Sequence, residues 1–155
     1  MVSLRPAEQA DREQILEVHV SAIRALCATH YTPEQIEAWA GRLRADSYDR
    51  VIRERELLVA IEGDVVIGFG QLDVATGEVE AIYVRPSAVR LGVGSSLLCE
   101  LEAIARSACL QELFLDASLN AVDFYERSGF LIVEQRMHQF ESGADIACVR
   151  MIKQI

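Results

Sequence analysis

The sequence predicts an α/β protein, a mixed central sheet flanked by helices. Three features carry that expectation. A strand, a tight glycine turn, an amphipathic helix and a second strand follow one another between Glu78 and Ala117, which makes a β-α-β crossover and so a parallel strand pair. Apolar runs joined by glycine turns stand before and after this unit, at Leu57–Leu72 and Phe130–Lys153, and these read as antiparallel hairpins. The 155 residues are 51% hydrophobic and 25% charged, with no repeat, low-complexity tract or Pro/Gly-rich linker, so one domain over residues 1–155 is expected.

Taken in order, a short strand near Val2–Arg5 leads into a helix from about Glu8 to Cys27, where Ile15, Leu16, Val18, Ala22, Ile23 and Leu26 recur at helical spacing. Thr32-Pro33-Glu34-Gln35 starts a second helix: Thr32 is a suitable N-cap, Pro33 fits the first helical position, and Ile36, Trp39 and Leu43 continue the stripe. Arg42 and Arg44 read as its solvated face. Leu57–Ile61 and Val65–Leu72 flank the turn Glu62-Gly63-Asp64 as a hairpin, and Glu78–Val84 alternates as a third strand that Pro86 ends. A helix from about Gly92 to Ser107 presents Leu97, Leu98, Leu101, Ile104 and Ala105 on one face. Leu113–Ala117 is a strand, Asn120–Arg127 a helix closed by Ser128-Gly129, and Phe130–Phe140 with Asp145–Lys153 a last hairpin across Glu141–Ala144.

Charge narrows the partners. A net charge of −9 repels phosphate backbones and leaves no basic stripe, which argues against nucleic acid and favours a cationic or amine ligand. No stretch approaches the ~20 apolar residues of a membrane span, and Met1-Val2-Ser3-Leu4-Arg5-Pro6 has no apolar signal core. A cytoplasmic protein without a membrane partner is expected. Cys27, Cys99, Cys109 and Cys148 form no C-x-x-C pair and sit in apolar segments, so they read as small core residues in a reducing compartment. No cluster has metal-ligand spacing.

The chemistry concentrates at one turn. Arg90-Leu91-Gly92-Val93-Gly94-Ser95 joins a strand to an amphipathic helix, a design whose small residues let the backbone approach an anion while unpaired amides and the helix dipole face it. The residues alone leave two readings, a tight turn or a phosphate cradle. A Walker A loop does not fit, since no Gly-Lys-Ser/Thr follows, and Leu97 stands where a dinucleotide fingerprint needs its third glycine.

From Glu78 to Phe130 the chain resembles the GNAT superfamily of acetyl-CoA-dependent N-acetyltransferases. The matching segments are the strand ending Ile82-Tyr83-Val84-Arg85-Pro86, the turn Arg90–Ser95, the Leu97-Leu98 helix, and Asn120-Ala121-Val122-Asp123-Phe124-Tyr125-Glu126-Arg127-Ser128-Gly129-Phe130. One position departs: Val89 stands where the family's loop begins with Gln or Arg, and Arg90 follows one residue later. The resemblance implies a GNAT-like sheet whose parallel pair splays to form an acetyl-CoA cleft, with transfer of an acetyl group to a primary amine by direct attack through a tetrahedral intermediate and with no metal. It implies cofactor contacts at Ile82, Tyr83 and Val84 on the strand, at Arg90, Leu91, Gly92, Val93, Gly94 and Ser95 on the loop, and at Asn120 and Tyr125 beside the coenzyme arm. Tyr125 then protonates the departing thiolate, which a phenol of pKa near ~10 can do at neutral pH; the residues alone equally allow it to pack a helix on the sheet.

Glu78 aligns with a glutamate that acts as base in some relatives, and Glu80 lies two residues on, on the same face of a regular strand. Paired carboxylates there raise each other's pKa; an exposed acidic strand start is the alternative. In the family the arm containing Thr29-His30-Tyr31-Thr32 lies over the acceptor mouth, which makes His30, Tyr31 and Glu80 candidates for substrate contact, while His19 reads as structural. Small amines, aminoglycoside-like compounds, peptide N-termini and lysine side chains all remain open as acceptors. The terminal strands are able to pair across a two-fold into a homodimer. A module that holds acyl-CoA as a sensor without turnover is the rival function, and it would not need a proton donor at Tyr125.

Overall fold

The computed structural model describes residues 1–155. Its seven strands are β1 (Val2–Pro6), β2 (Glu56–Glu62), β3 (Val65–Asp73), β4 (Glu78–Val84), β5 (Glu112–Ser118), β6 (Leu131–Gln139) and β7 (Asp145–Gln154). They form one sheet in the order β1-β2-β3-β4-β5-β7-β6. Every neighbouring pair is antiparallel except β4 and β5, the pair joined by a helical crossover. The helices are α1 (Arg12–Leu26), α2 (Pro33–Ala40), α3 (Ser47–Glu54), α4 (Val93–Ser107) and α5 (Val122–Arg127).

Both faces of the sheet are covered, as the long apolar runs of β2 and β3 demand. On one face α4 buries Leu97, Leu98, Leu101 and Ala105 against Leu58, Leu113, Leu115, Phe130 and Met151. The helix comes so close to β3 that a Cβ at Gly68 would lie 3.0 Å from Val93 Cγ1 and one at Gly70 3.1 Å from Leu101 Cδ1. On the other face α1 packs Ile15 and Val18 against Val59, Val66 and Phe69. A third cluster of Ile23, Tyr31, Ile36 and Trp39 docks the α1–α2 arm on Phe140 and Ile146 of the β6–β7 hairpin. Lys153 of β7 ties the α4 and α5 sides together, its Nζ donating to Glu102 Oε1 and to the Ser128 carbonyl, both at 2.7 Å.

The start of α2 follows the sequence rule in full. The Thr32 hydroxyl accepts from Gln35 N–H, the Gln35 side chain accepts from Thr32 N–H, and Pro33 begins the helix, a reciprocal cap that satisfies two otherwise orphaned donors. Three expectations are corrected. The helix stops at Ala40 instead of running through Leu43, and the separate helix α3 follows it; α3 is so polar, with Tyr48 its buried residue, that it shows little apolar stripe in the sequence. The first turn of the α1 segment is a 3₁₀ turn at Gln9–Asp11, where the buried Asp11 carboxylate accepts from Glu8 N–H and pairs with Arg5. Finally, Cys27 and Cys148 are buried, but Cys99 and Cys109 are exposed.

The feature that positions the site is the parallel pair. β4 and β5 share a single register position, Glu78 against Phe114, with Phe114 N–H donating to the Gly77 carbonyl at 3.0 Å. Beyond Glu78 the strands diverge, although β4 stays paired to β3 as far as Val84 and β5 to β7 as far as Ser118. The inner edge of each strand is thereby left without a strand partner, which permits a ligand's amides to take that place.

Candidate functional site

One cavity of about 850 Å³ opens at the splay, lined by the start of α4, by α5 and by Ala22, Leu26 and Cys27 at the end of α1. Its floor is Ile82, Tyr83 and Val84 of β4, and its rim is the turn before α4. Gly92 caps that helix with φ of +81°, a conformation glycine adopts without the Cβ penalty. Ser96 N–H is bonded to the Gly92 carbonyl at 3.0 Å, and the amides of Val93, Gly94 and Ser95 ahead of it have no backbone acceptor, as at any helix start. They line the cavity, and free amides at a helix start are the donors an anion takes. Gly94 leaves room there, since a Cβ would lie 3.4 Å from the Phe124 ring.

Arg90, Gly92, Val93, Gly94 and Ser95 all line this cavity, as does Val89 at the position where the loop departs from the family pattern. Leu91 does not: the residue is 72% exposed, at the tip of the turn. Arg90 itself is in the left-handed region at φ of +65°. Asn120 lines the cleft with its Oδ1 buried and without any hydrogen-bond partner. A buried acceptor left unpaired costs about 1–3 kcal/mol, and a coenzyme amide is a donor of the kind that would satisfy it. The residues present therefore fit a pantetheine arm and its phosphates. Sequence reasoning missed Arg127 and Phe124 as lining groups; the free arginine in the last turn of α5 was the available signal.

Tyr125 is 7% exposed, packed edge-on against Phe124 and Phe130, and lines the same cavity. Burial pushes its phenol pKa above the ordinary tyrosine value, so the hydroxyl stays protonated across neutral pH.

A second cavity of about 490 Å³ lies on the α1–α2 side of the sheet. Its lining includes the carboxylates of Glu78, Glu80 and Asp116 and the aromatic side chains of Trp39, Tyr48 and Phe140. Strand β4 is not regular here: Gln71 opposes Ala81 and Leu72 opposes Val79, leaving Glu80 as a bulge. Both glutamates nonetheless face this cavity. Glu80 is committed elsewhere, accepting from Arg55 Nε at 2.7 Å and Gln71 Nε2 at 3.1 Å, and Asp116 is held by Arg150 at 2.6 and 3.0 Å. The Glu78 carboxylate has no such partner, and burial first, then the charges of Glu80 and Asp116, raises its pKa.

The arm residues divide. Tyr31 lines the second cavity, but its hydroxyl is spent on structure, donating to the Ala147 carbonyl at 2.6 Å and accepting from Leu119 N–H at 2.9 Å. His30 is exposed, bonded to the neighbouring Thr29 hydroxyl at 2.9 Å, and lines neither cavity; the turn after α1 carries it away from the site. His19, read as structural, does line the second cavity, where its ring lies 4.3 Å from that of Tyr83 and Nδ1 pairs with the Tyr48 hydroxyl at 2.8 Å. Burial, reinforced by Arg42, drops its pKa to about 3, so it is a neutral imidazole.

Tyr83 and Ser118, the facing residues of the splayed strands, line both cavities. The two chambers therefore meet in the gap between β4 and β5. The thiols nearby are quiet: burial pushes Cys27 up to about 12 and raises Cys148, which keeps both protonated and poorly nucleophilic. No group of three or more His, Cys, Asp or Glu side chains is placed to hold a metal ion, and no helix is long and apolar enough to cross a membrane.

Residues 27–154 match the pattern that defines the acetyltransferase (GNAT) domain. The chain is 29% identical over 135 residues to the N-acetyltransferase YafP of Escherichia coli, covering 87% of this chain and 85% of that protein. Its structure superposes with a TM-score of 0.93 on a GCN5-related N-acetyltransferase of Rhodopseudomonas palustris, 28% identical, over 99% of this chain and 95% of that one. The PaiA N-acetyltransferase of Thermoplasma acidophilum, solved with coenzyme A, gives 0.82 at 22% identity over 100% and 99% of the two chains.

Proposed function

Because the chain belongs to the GNAT family of acetyltransferases, we propose that it transfers the acetyl group of acetyl-CoA to the primary amine of a small molecule or peptide, by direct attack in the gap between β4 and β5. The observation that carries this reading is the meeting of two cavities at Tyr83 and Ser118, one built for a phosphorylated coenzyme and one with an unpaired carboxylate for an amine. Coenzyme A in the Thermoplasma relative supports the first assignment.

Acetyl-CoA supplies the activated acyl group. The chain's own groups then divide the work. The free amides of Val93, Gly94 and Ser95 hold the pyrophosphate, Asn120 Oδ1 accepts from the pantetheine arm, and the unpaired inner edge of β4 at Ile82 and Val84 orients it as an added strand. Glu78, raised in pKa, removes the proton of the incoming ammonium directly or through water. The Tyr125 hydroxyl holds the proton that the leaving thiolate needs. Charge supports the choice of an amine, since ammonium ions are drawn to a chain of net charge −9. The reaction is a cytoplasmic one in this reading, and residues 1–155 act as one catalytic domain.

The test is release of free thiol from acetyl-CoA over a panel of amines, with Gly94→Leu beside the wild type. Wild-type turnover and loss of acetyl-CoA binding in a folded Gly94→Leu variant are expected. Tight binding of acetyl-CoA without thiol release from any amine would leave a coenzyme-holding module instead.

We also propose that the protein is a homodimer through β6, the edge strand of the sheet. All nine of its residues are exposed, among them Leu131, Ile132, Val133 and Met137. Such an edge invites pairing, and it is self-complementary: a two-fold centred on Gln135 sets Glu134 of each copy against Arg136 of the other.

A further inference from the structure

Resting on the second cavity as the amine's entry, we infer that the acceptor is an amphoteric molecule, a primary amine joined through an aromatic or apolar spacer to an anionic group that Arg42 binds. The cations of the chain point to this. Arg42, Arg53, Arg90 and Arg127 are the basic side chains left without an ion pair. All but Arg53 line one of the two cavities. In a chain with 24 carboxylates and 15 Lys and Arg, a guanidinium that finds no internal carboxylate and faces a cavity is available to an anion from outside.

Arg42 is held in place without being neutralised. Its guanidinium lies over the Phe140 ring, 4.9 Å from the centroid, a cation–π contact that fixes the head while leaving its donors free. Its charge is felt inside the cavity, acting on His19, Tyr48 and Tyr83, so it is more than a solvated rim group. In the same lining Glu78 is the carboxylate without an ion pair, since Arg55 and Arg150 neutralise Glu80 and Asp116. The cavity thus keeps one free negative and one free positive group that form no ion pair with each other, in a lining that also carries the aromatic side chains Trp39, Tyr48 and Phe140. A ligand complementary to that pattern sets its amine toward Glu78 and the gap between the strands, its flat or apolar middle against the aromatic side chains, and its anion on the guanidinium fork.

Guanidinium recognises carboxylate and phosphate alike, so the test uses one pair of each: 4-(aminomethyl)benzoate against benzylamine, and O-phosphotyramine against tyramine. Affinities are measured by calorimetry on the protein saturated with coenzyme A. At least one acid-bearing amine is expected to bind about tenfold or more tightly than its counterpart without the acid group, the gain of a charge-assisted contact, and the pair with the larger gain identifies the anion. Arg42→Ala should erase that preference by weakening the acid-bearing amine alone, whereas Arg42→Lys should keep part of it. The inference is overturned if neither acid-bearing amine binds, if the amines without the acid group bind as tightly, or if Arg42→Ala weakens both members of a pair equally. Turnover on the same probes separates it from the reading it rests on: preferential binding without acetylation removes the acetyl transfer, and equal acetylation of benzylamine and its acid removes the anion site.

Discussion

At the scale of single residues the proposed reaction turns on one phenol and one carboxyl group, Tyr125 and Glu78, and burial raises the pKa of both. Tyr125 has its phenol pKa raised above ~10, so any alkaline fall in kcat/KM that it causes lies above that value. Tyr125→Phe keeps the packing on Phe124 and Phe130 and deletes the donor alone. Turnover should drop on the order of 10²-fold, the low end for a general acid because water also protonates a thiolate, while acetyl-CoA affinity and the unfolding midpoint stay put. Wild-type turnover in this variant would show the hydroxyl to be idle. Glu78 has the opposite task and must be ionised to act. Its pKa is raised by burial and by Glu80 and Asp116, so activity is present above that raised value and is lost as pH falls through it, over a range above the usual ~4.3 of glutamate. Glu78→Gln should lower kcat/KM and remove this acidic limb; an acidic limb unchanged in the variant would assign it to the amine or another group. Both residues were legible as candidates because they sit in a run that resembles a family. Arg42 and His19 were not, since a solvated helix face and a mid-helix histidine carry no local sign of the cavity that α1, α2 and the β6–β7 hairpin enclose.

Elements whose periodicity is strong were readable, and those whose placement depends on distant partners were not. The reciprocal cap at Thr32 and Gln35 and the glycine at the start of α4 are local events, so the sequence announces them. The helix α3 and the bulge at Glu80 answer instead to tertiary pairing, which overrides weak propensity. Tyr31 shows the same limit: its loop position marks it for ligand contact, yet its hydroxyl bridges β7 to the residue that follows β5. The edge strand β6 gives the element-scale prediction. If two copies pair there, Ile132→Lys with Met137→Lys sets like charges on an exposed apolar edge and should convert a dimer to a monomer in sedimentation, with the fold retained by circular dichroism. A wild type that sediments as a monomer at the highest workable concentration would refute the pairing.

For the whole molecule, the decisive arrangement is that two cavities, one proposed for the coenzyme and one for the acceptor, adjoin where the parallel pair of the sheet comes apart. Such a plan needs no carrier on the protein. A relay would require a nucleophile exposed to both ligands, and the thiols near the junction, Cys27 in the coenzyme cleft and Cys148 in the acceptor cavity, are held protonated by burial, Cys27 with its pKa at about 12. A buried neutral thiol attacks slowly, whereas an amine delivered through the second cavity reaches the acyl group directly. Initial rates should therefore give double-reciprocal lines that intersect, the signature of both substrates bound together, and not the parallel lines of ping-pong transfer. Incubation with acetyl-CoA alone should leave the intact mass of the protein unchanged, and Cys27→Ser and Cys148→Ser should each keep wild-type turnover within about twofold, since surface-independent thiols removed from the reaction path alter only packing. An acetyl adduct that forms without amine and is discharged when amine is added would instead place a covalent step on the chain and end the direct-attack reading.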